Sequence, residues 1–375
     1  MNHRVLASLA FLLSGAIAGV SGTPPHDALH VLSPITHGNL TIFPVVGGTD
    51  YDTSHILTLD EGIKAGSVII TEQGALRGLV RRGSAPSGSA EVNRLVLVNN
   101  SDRPLLLLAG EIVTGGKQDR VIGADRLVPP KSDPIDLSVF CVEPGRWVAH
   151  SEQFGSMKSQ MAQPSVRVPA MAAKNQQQVW DQVAKARDSA AMASSVEVTS
   201  ASPLVQADNA DLARAMKGTT SYAATMAVPQ VQRKLDSVAG NYDGVLQQLR
   251  KTGAKGVVVA VNGEIVWVDL FASNDLLVRY WQKLVRSYAA ESLTAVSAHG
   301  KADEKEAQAF LDRMKGNREV IETEPGVFRR AEITGDSYKV FTLTALMPKT
   351  DFDVHIAKMT YDKEARLEFP RQVIR

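Results

Sequence analysis

Residues 105–147 read LLLLAGEIVTGGKQDRVIGADRLVPPKSDPIDLSVFCVEPGRW. No other stretch of the chain packs so many glycines, paired prolines and opposed charges between apolar runs. Leu105 to Ala109 is apolar and belongs inside. Gly110-Glu111 sets a carboxylate where that run ends, and Gly115-Gly116 lets the backbone take positive φ or approach another group closely. Lys117, Gln118, Asp119 and Arg120 follow without interruption, placing a cation, an amide, an acid and a cation at the edge of a sheet. Leu137 to Val142 reads as a strand in which Leu137, Val139 and Cys141 share a face. Glu143 continues that parity while Pro144-Gly145 turns the chain towards Arg146 and Trp147. Pairing of Glu143 with Lys117 or Arg120, or of Arg146 with Glu111, would join the two limbs in one polar cleft. That meeting is the central expectation.

Upstream, Leu40 to Val46 and Gly66 to Glu72 read as strands, and Leu76 to Val80 as a further candidate before a Gly/Ser/Pro loop at 81–89. Glu91 to Asn99 alternates, with Leu95 and Leu97 on one face and Val96 and Val98 on the other. Asn99 to Asp102 is turn chemistry, so Leu105 to Leu108 is expected to return beside it as a hairpin. Downstream, residues 155–225 turn rich in Ala, Met, Gln and Ser, which predicts a flexible insertion. Within it, 156–170 reads as a mobile loop, 175–190 as a helix, 194–207 as extended or disordered and 208–216 as a short helix. Helices are expected at 229–238 and 245–251. Asn262-Gly263 between two apolar runs then predicts a type I′ hairpin over 256–271. Ser273 caps a helix to about Glu291 with apolar residues at helical spacing. A charged helix at 301–315, a hairpin over 326–346 and a short strand at 354–359 close the chain. The fold class is α+β, with a β-rich N-terminal half (a sandwich or barrel-like sheet), a helical middle and a C-terminal hairpin–helix–helix–hairpin. One compact unit over 28–360 is expected, because the late strands need a sheet to join.

The chain has 375 residues, 44% of them apolar, so a sizeable core is available. Its formal charge of +1 carries no basic excess, which argues against a nucleic-acid partner. His3 and Arg4, an apolar run from Val5 to Val20 and small residues before Pro24-Pro25 read as a signal peptide over 1–22, cleaved near 18–23. The mature chain is then secreted or periplasmic, with no later membrane span. The single cysteine rules out an intramolecular disulfide.

Three functional readings follow. In the first, Lys117, Arg120 and Arg146 hold a small anionic or sugar-like ligand that Gln118 orients, because guanidinium forks match carboxylate and phosphate oxygens. Trp147 stacks on that ligand or closes a core edge. In the second the protein is a hydrolase. Glu111 or Glu143 serves as general base and Asp119 or the other glutamate as acid, which requires carboxylates pushed apart in pKa. In the third, the polar set is an ion-pair clasp on a protein-interaction module. Gly115-Gly116-Lys117 lacks the spacing and the following helix of a phosphate loop. Cys141 reads as a buried, inert thiol. Asp269 reads as the solvent side of its strand, and Ser287, Tyr288 and Glu291 as the polar finish of their helix. The scattered histidines form no metal motif, and nothing calls for a cofactor.

Ala109-Gly110-Glu111, Thr114 to Arg120, Pro129-Pro130 and Cys141 to Trp147 together resemble a bacterial and archaeal domain family. It is named for association with ADP-ribosylglycohydrolase and rhodanese-phosphatase proteins. The 256–271 hairpin and Leu284 to Tyr288 are similar to it as well, so the resemblance spans about 32–346. The name implies ADP-ribose or phosphate metabolism only by association, and no activity carries over. Expression of the full chain in a Gram-negative host should yield a mature N-terminus between residues 19 and 24, read by intact mass. An uncut N-terminus would overturn the leader reading.

Overall fold

A computed structural model describes residues 29–73, 94–195, 203–240, 242–294, 300–347 and 351–361. The expected leader, the strand candidate at 76–80 and the loop at 81–89 lie outside the described residues.

The first half is built from short strands: β1 (Leu29–Val31), β2 (Ile35–His37), β3 (Leu40–Gly47), β4 (Leu57–Thr58), β5 (Val68–Glu72) and β6 (Arg94–Asn99). They continue as β7 (Leu105–Leu107), β8 (Glu111–Thr114), β9 (Arg120–Ile122), β10 (Arg126–Val128), β11 (Ile135–Cys141) and β12 (Gly155–Met161). One helix, α1 (Leu59–Lys64), interrupts them behind a Thr58–Glu61 capping box. The middle is helical: α2 (Pro164–Val168), a π turn over Pro169–Ala173, α3 (Gln176–Ser194), α4 (Pro203–Lys217), α5 (Tyr222–Met226), α6 (Pro229–Ala239) and α7 (Tyr242–Thr252). The last part runs β13 (Gly256–Val261), β14 (Glu264–Phe271), α8 (Asn274–Thr294), α9 (Glu304–Asp312), β15 (Asn317–Glu324), β16 (Phe328–Thr334), β17 (Tyr338–Ala345) and β18 (Phe352–Thr360). The α+β class is therefore the observed one.

Among the described residues the strands form three sheets. The largest is antiparallel, in the order β1-β3-β13-β14-β18-β17-β16-β15, with β2 also on β3. Asn262 at φ 53 and Gly263 at φ 83 make the predicted turn between β13 and β14. Val257, Val259 and Trp267 face α8 and pack with Leu277, Trp281 and Leu284. Val258, Ala260 and Val268 face the other way, onto Ala307, Phe310 and Leu311 of α9. Burial on both faces is why the β13 run shows no alternation.

The second sheet has the order β12-β8-β9-β11-β6-β5 and the third β10-β7-β4. They share one apolar cluster, in which Leu95, Leu97, Ile122 and Val139 meet Leu105, Leu107 and Val128. The opposite face of the six-stranded sheet, with Val121, Phe140 and Val142, lies under α3, α5 and α6.

Three expectations are corrected. The Leu105 run does not pair with the 94–99 strand. β6 has β5 on one edge and β11 on the other, so no edge is free for β7. The Asn99 amide donates to Arg103 O and Pro129 O, which turns the chain into the three-stranded sheet. Residues 156–170 are not a loop either. β12 adds to β8, and Pro164 starts a helix from its first turn. The stretch expected as extended or disordered at 194–207 is helical from Pro203 onward.

The sheets and helices meet at one buried charge network. Arg167 of α2 donates to both oxygens of Asp269 on β14, at 3.1 Å each. The Tyr288 hydroxyl of α8 donates to Asp269 Oδ2 at 2.5 Å. His355 of β18 sits between Asp269 (3.2 Å) and Asp125 (2.6 Å), and Asp125 accepts from Ala109 N. Arg167 also lies 4.2 Å above the Trp267 ring. Gly110, at φ +98, must be glycine here, because a Cβ would come within 2.8 Å of the Arg167 side chain. Asp269 was expected to face solvent. It lies on the α8 face with Trp267 and is fully buried, as are Ser287 and Tyr288, and Glu291 binds Ser165 N at 2.8 Å.

Burial opposes charge on Asp269, but Arg167 and His355 outweigh it and hold the carboxyl below its ordinary 3.8. Burial likewise opposes charge on His355, yet Asp125 and Asp269 raise it from 6.5 to about 9. The Asp269 contribution is therefore present above pH 3.8 and lost as acid approaches the lower folded value. The His355 contribution is whole below pH 6.5 and lost as pH rises through about 9. Denaturant stability should fall between pH 6.5 and 9.5. Asp269→Asn, which keeps the shape and leaves two buried cations short of a counter-charge, should cost about 3–5 kcal/mol at pH 6. Wild-type stability in that variant would refute the role given to the network.

Candidate functional site

The site grows from two turns at one end of the six-stranded sheet. The first, between β8 and β9, is fixed by glycine. A Cβ on Gly116 would sit 2.2 Å from the Phe154 ring, and Gly116 has φ +48. The turn is closed from within, since Gly115 N donates to Asp119 Oδ1 at 3.1 Å. The second turn follows β11. The Gln176 amide, in the first turn of α3, donates to Cys141 O and accepts from Cys141 N, both at 2.9 Å, so it finishes the strand as a neighbouring strand would. Gly145, at φ 92, then reverses the chain into Arg146 and Trp147.

The limbs meet as expected, through different partners. Asp119 N donates to Glu143 Oε2 (3.0 Å) and the Gln118 amide to Glu143 O (3.1 Å). Arg146 pairs with Glu143 at 2.5 Å and with Asp119 at 3.6 Å, and also donates to Gly116 O and Val148 O. Burial works against the Arg146 charge, but Glu143 and Asp119 prevail and its pKa is raised. Burial also raises Asp119, against the opposing Ser221 hydroxyl, which donates to its Oδ2 at 2.6 Å.

The β pleat divides the expected group between two faces. Arg120 stands opposite both Val113 and Cys141 in the ladder, on the face shared with the three-stranded sheet. Asp119 has the opposite parity and meets Ser221 on the helical side. There, Asp119, Glu143 and Arg146 line a cleft of about 490 Å³ with His150, Lys217 and Thr219 to Ser221. On the other side Arg120 is fully buried, and its three guanidinium nitrogens find no acceptor among the described residues. Its nearest carboxylate, Glu72, is 4.0 Å away and already accepts from Lys117 N at 2.9 Å. Burial pulls Arg120 below its ordinary pKa, against Cys141 and Glu72, which favour its charge. Trp147, expected to stack on a ligand or close a core edge, is 43% exposed. Its ring lies 4.9 Å from Lys117 Nζ and 6.0 Å from the Arg120 guanidinium.

Glu111 stands apart from the other seven. Its carboxylate is fully buried, bound to Lys283 at 2.6 Å and to Leu108 N at 2.9 Å, and Lys283 reaches Asp60 at 2.9 Å. Burial raises its pKa, against Lys283. Burial also raises the Cys141 thiol, whose sulfur accepts from Glu143 N. Sequence reasoning missed Glu72, Gln176, Lys217 and Thr219 to Ser221. They come from distant elements and carry no local motif. Among the described residues no cluster of three metal-binding side chains occurs.

The ARPP-1 domain pattern (ARG and Rhodanese-Phosphatase-superfamily-associated Protein domain) matches residues 28–359. The chain belongs to this family. No curated protein and no solved structure matches it. The ARPP-1 match covers both turns and the sheets that carry them, so the Arg146 ion pairs and the buried Arg120 guanidinium lie within the family's domain.

Two arginines of this ARPP-1 domain therefore differ in kind. Arg146 pairs with two carboxylates and donates to the carbonyls of both turns, so it should be structural, and Arg146→Ala should lower stability by about 2 kcal/mol or more. Arg120 is a buried charge without hydrogen bonds, so Arg120→Met should leave stability within about 1 kcal/mol of wild type, or raise it. Urea titration of both variants reads the difference. Equal losses would make Arg120 part of the clasp.

Proposed function

We propose that the protein binds a small anion between Arg120, Lys117 and Trp147. The observation that carries this reading is the Arg120 guanidinium, fully buried with no hydrogen-bond acceptor among the described residues. Burying a charge without such partners costs several kcal/mol, and a bound oxyanion would supply them. A guanidinium offers two parallel donors that fit a carboxylate or phosphate edge. Lys117 adds a second positive charge, and the half-exposed Trp147 is the side chain an entering ligand would displace. The third reading from the sequence, the clasp, describes Arg146 with Asp119 and Glu143 rather than Arg120.

A second reading rests on the opposite cleft, where Asp119 and Glu143 face open volume and burial raises Asp119. There Glu143 would act as general base and Asp119 as acid on a hydrolysable substrate. Glu111, engaged with Lys283, takes no part in it.

Thermal shift and calorimetry with phosphate, sulfate and acetate at constant ionic strength test the first reading. At a concentration of 100 Kd a bound anion stabilises the fold by about 2.7 kcal/mol. Wild type should gain stability with at least one anion, and Trp147 emission should change. Arg120→Met should lose both responses while remaining folded. No response in wild type, or an equal response in the variant, would overturn the proposal.

A further inference from the structure

The cleft on the helical side differs in character from the Arg120 face. Its fixed charges balance, with Asp119 and Glu143 against Arg146 and Lys217. Arg146 consumes most of the negative side, yet Glu143 Oε1 accepts no hydrogen bond from the described residues. Lys217 is exposed and has no partner among the described residues. The hydroxyl wall is bifunctional. Thr219 Oγ1 accepts from Ser221 N at 3.0 Å and keeps its own O–H, and Thr220 donates to Pro144 O and keeps its acceptor capacity. Pro144 and Gly145 supply the apolar floor beside these groups.

A bare anion gains little from a cleft of balanced charge and meets the free Glu143 oxygen. A purely apolar ligand would strip water from the carboxylate and the ammonium without replacing it. Hydroxyl groups on a compact ring both donate and accept, so they can satisfy Glu143, Lys217 and the threonines together. A volume of about 490 Å³ suits one ring or two. We infer that this cleft is a carbohydrate-binding site for a neutral, polyhydroxylated ring, separate from the Arg120 face. The inference does not depend on anion binding at Arg120.

The test is calorimetry of the mature protein with a panel of neutral monosaccharides: glucose, galactose, mannose, ribose and N-acetylglucosamine. At least one should bind, and binding should be unchanged by added salt because no net charge is neutralised. Lys217→Ala removes an exposed, unpaired side chain and should weaken that sugar roughly ten-fold, the equivalent of one lost hydrogen bond to a charged group. Thr220→Val should weaken it in the same direction. Arg120→Met should leave it intact. Absence of binding by every sugar would overturn the inference, as would affinity unmoved by Lys217→Ala and Thr220→Val. So would loss of sugar binding in Arg120→Met, which would place the sugar on the other face. Each of these results leaves the anion experiment to stand or fall on its own readings.

Discussion

A guanidinium and a carboxylate stripped of water, Arg167 and Asp269, hold the centre of this molecule. Around them His355, Asp125 and Tyr288 add hydrogen bonds, and the Trp267 ring lies against the guanidinium. Such a network adds little net stability, because desolvating its ions offsets their attraction. Its effect is on arrangement. Asp269 and His355 belong to the large sheet, Arg167 to the helix after the six-stranded sheet, Tyr288 to α8 and Asp125 to the link between the two smaller sheets. Displacing any one element leaves a charge buried and unpaired, so only one mutual placement of the sheets is tolerated. The turns of the candidate site inherit their position from that placement, since Gly110 touches Arg167 at the start of the strand that leads to Gly115.

Hydrogen bonding also separates the two arginines at the sheet end. Arg146 holds two carboxylates and the carbonyls of both turns, which is how a clasp is built. Arg120, the neighbour of Asp119 in the chain, has none of this. Arg167, Arg146 and Lys283 each hold a carboxylate by short hydrogen bonds, whereas among the described residues all three guanidinium nitrogens of buried Arg120 lack an acceptor, with Glu72 4.0 Å away. Local rules tend to be broken where a protein serves a ligand rather than its own stability.

Much of the secondary structure was legible because its signals are local. Asn262-Gly263 specifies its turn, Ser273 its cap, and the apolar spacing of α8 and α9 their buried faces. β12 was not legible, since GSMKSQM has little strand propensity and is held by its pairing to Glu111–Thr114. The partner of Leu105–Leu107 was hidden for a related reason. Turn chemistry at Asn99 predicts a reversal of the chain but not which edge is vacant. Asp269 shows the same limit, because an acid among apolar residues reads as solvent-facing until a helix 19 residues on supplies a hydroxyl. The meeting of the two limbs could be read from their opposed charges. The partners could not, because Glu143 has three cations within reach of the same turns and only the register decides among them.

That register carries a further consequence. Side chains alternate across a strand, so an acid and an arginine adjacent in sequence cannot both face one ligand inside a sheet. Asp119 and Arg120 sit where β9 begins, and the pleat sends the first towards Ser221 and the second towards Cys141 and Glu72. Arg146 and Trp147, beyond the end of β11, also part, the guanidinium to the clasp and the indole to Arg120. One short motif thus furnishes two chemically different surfaces back to back, joined only by two peptide bonds and the hydrogen bonds between the turns.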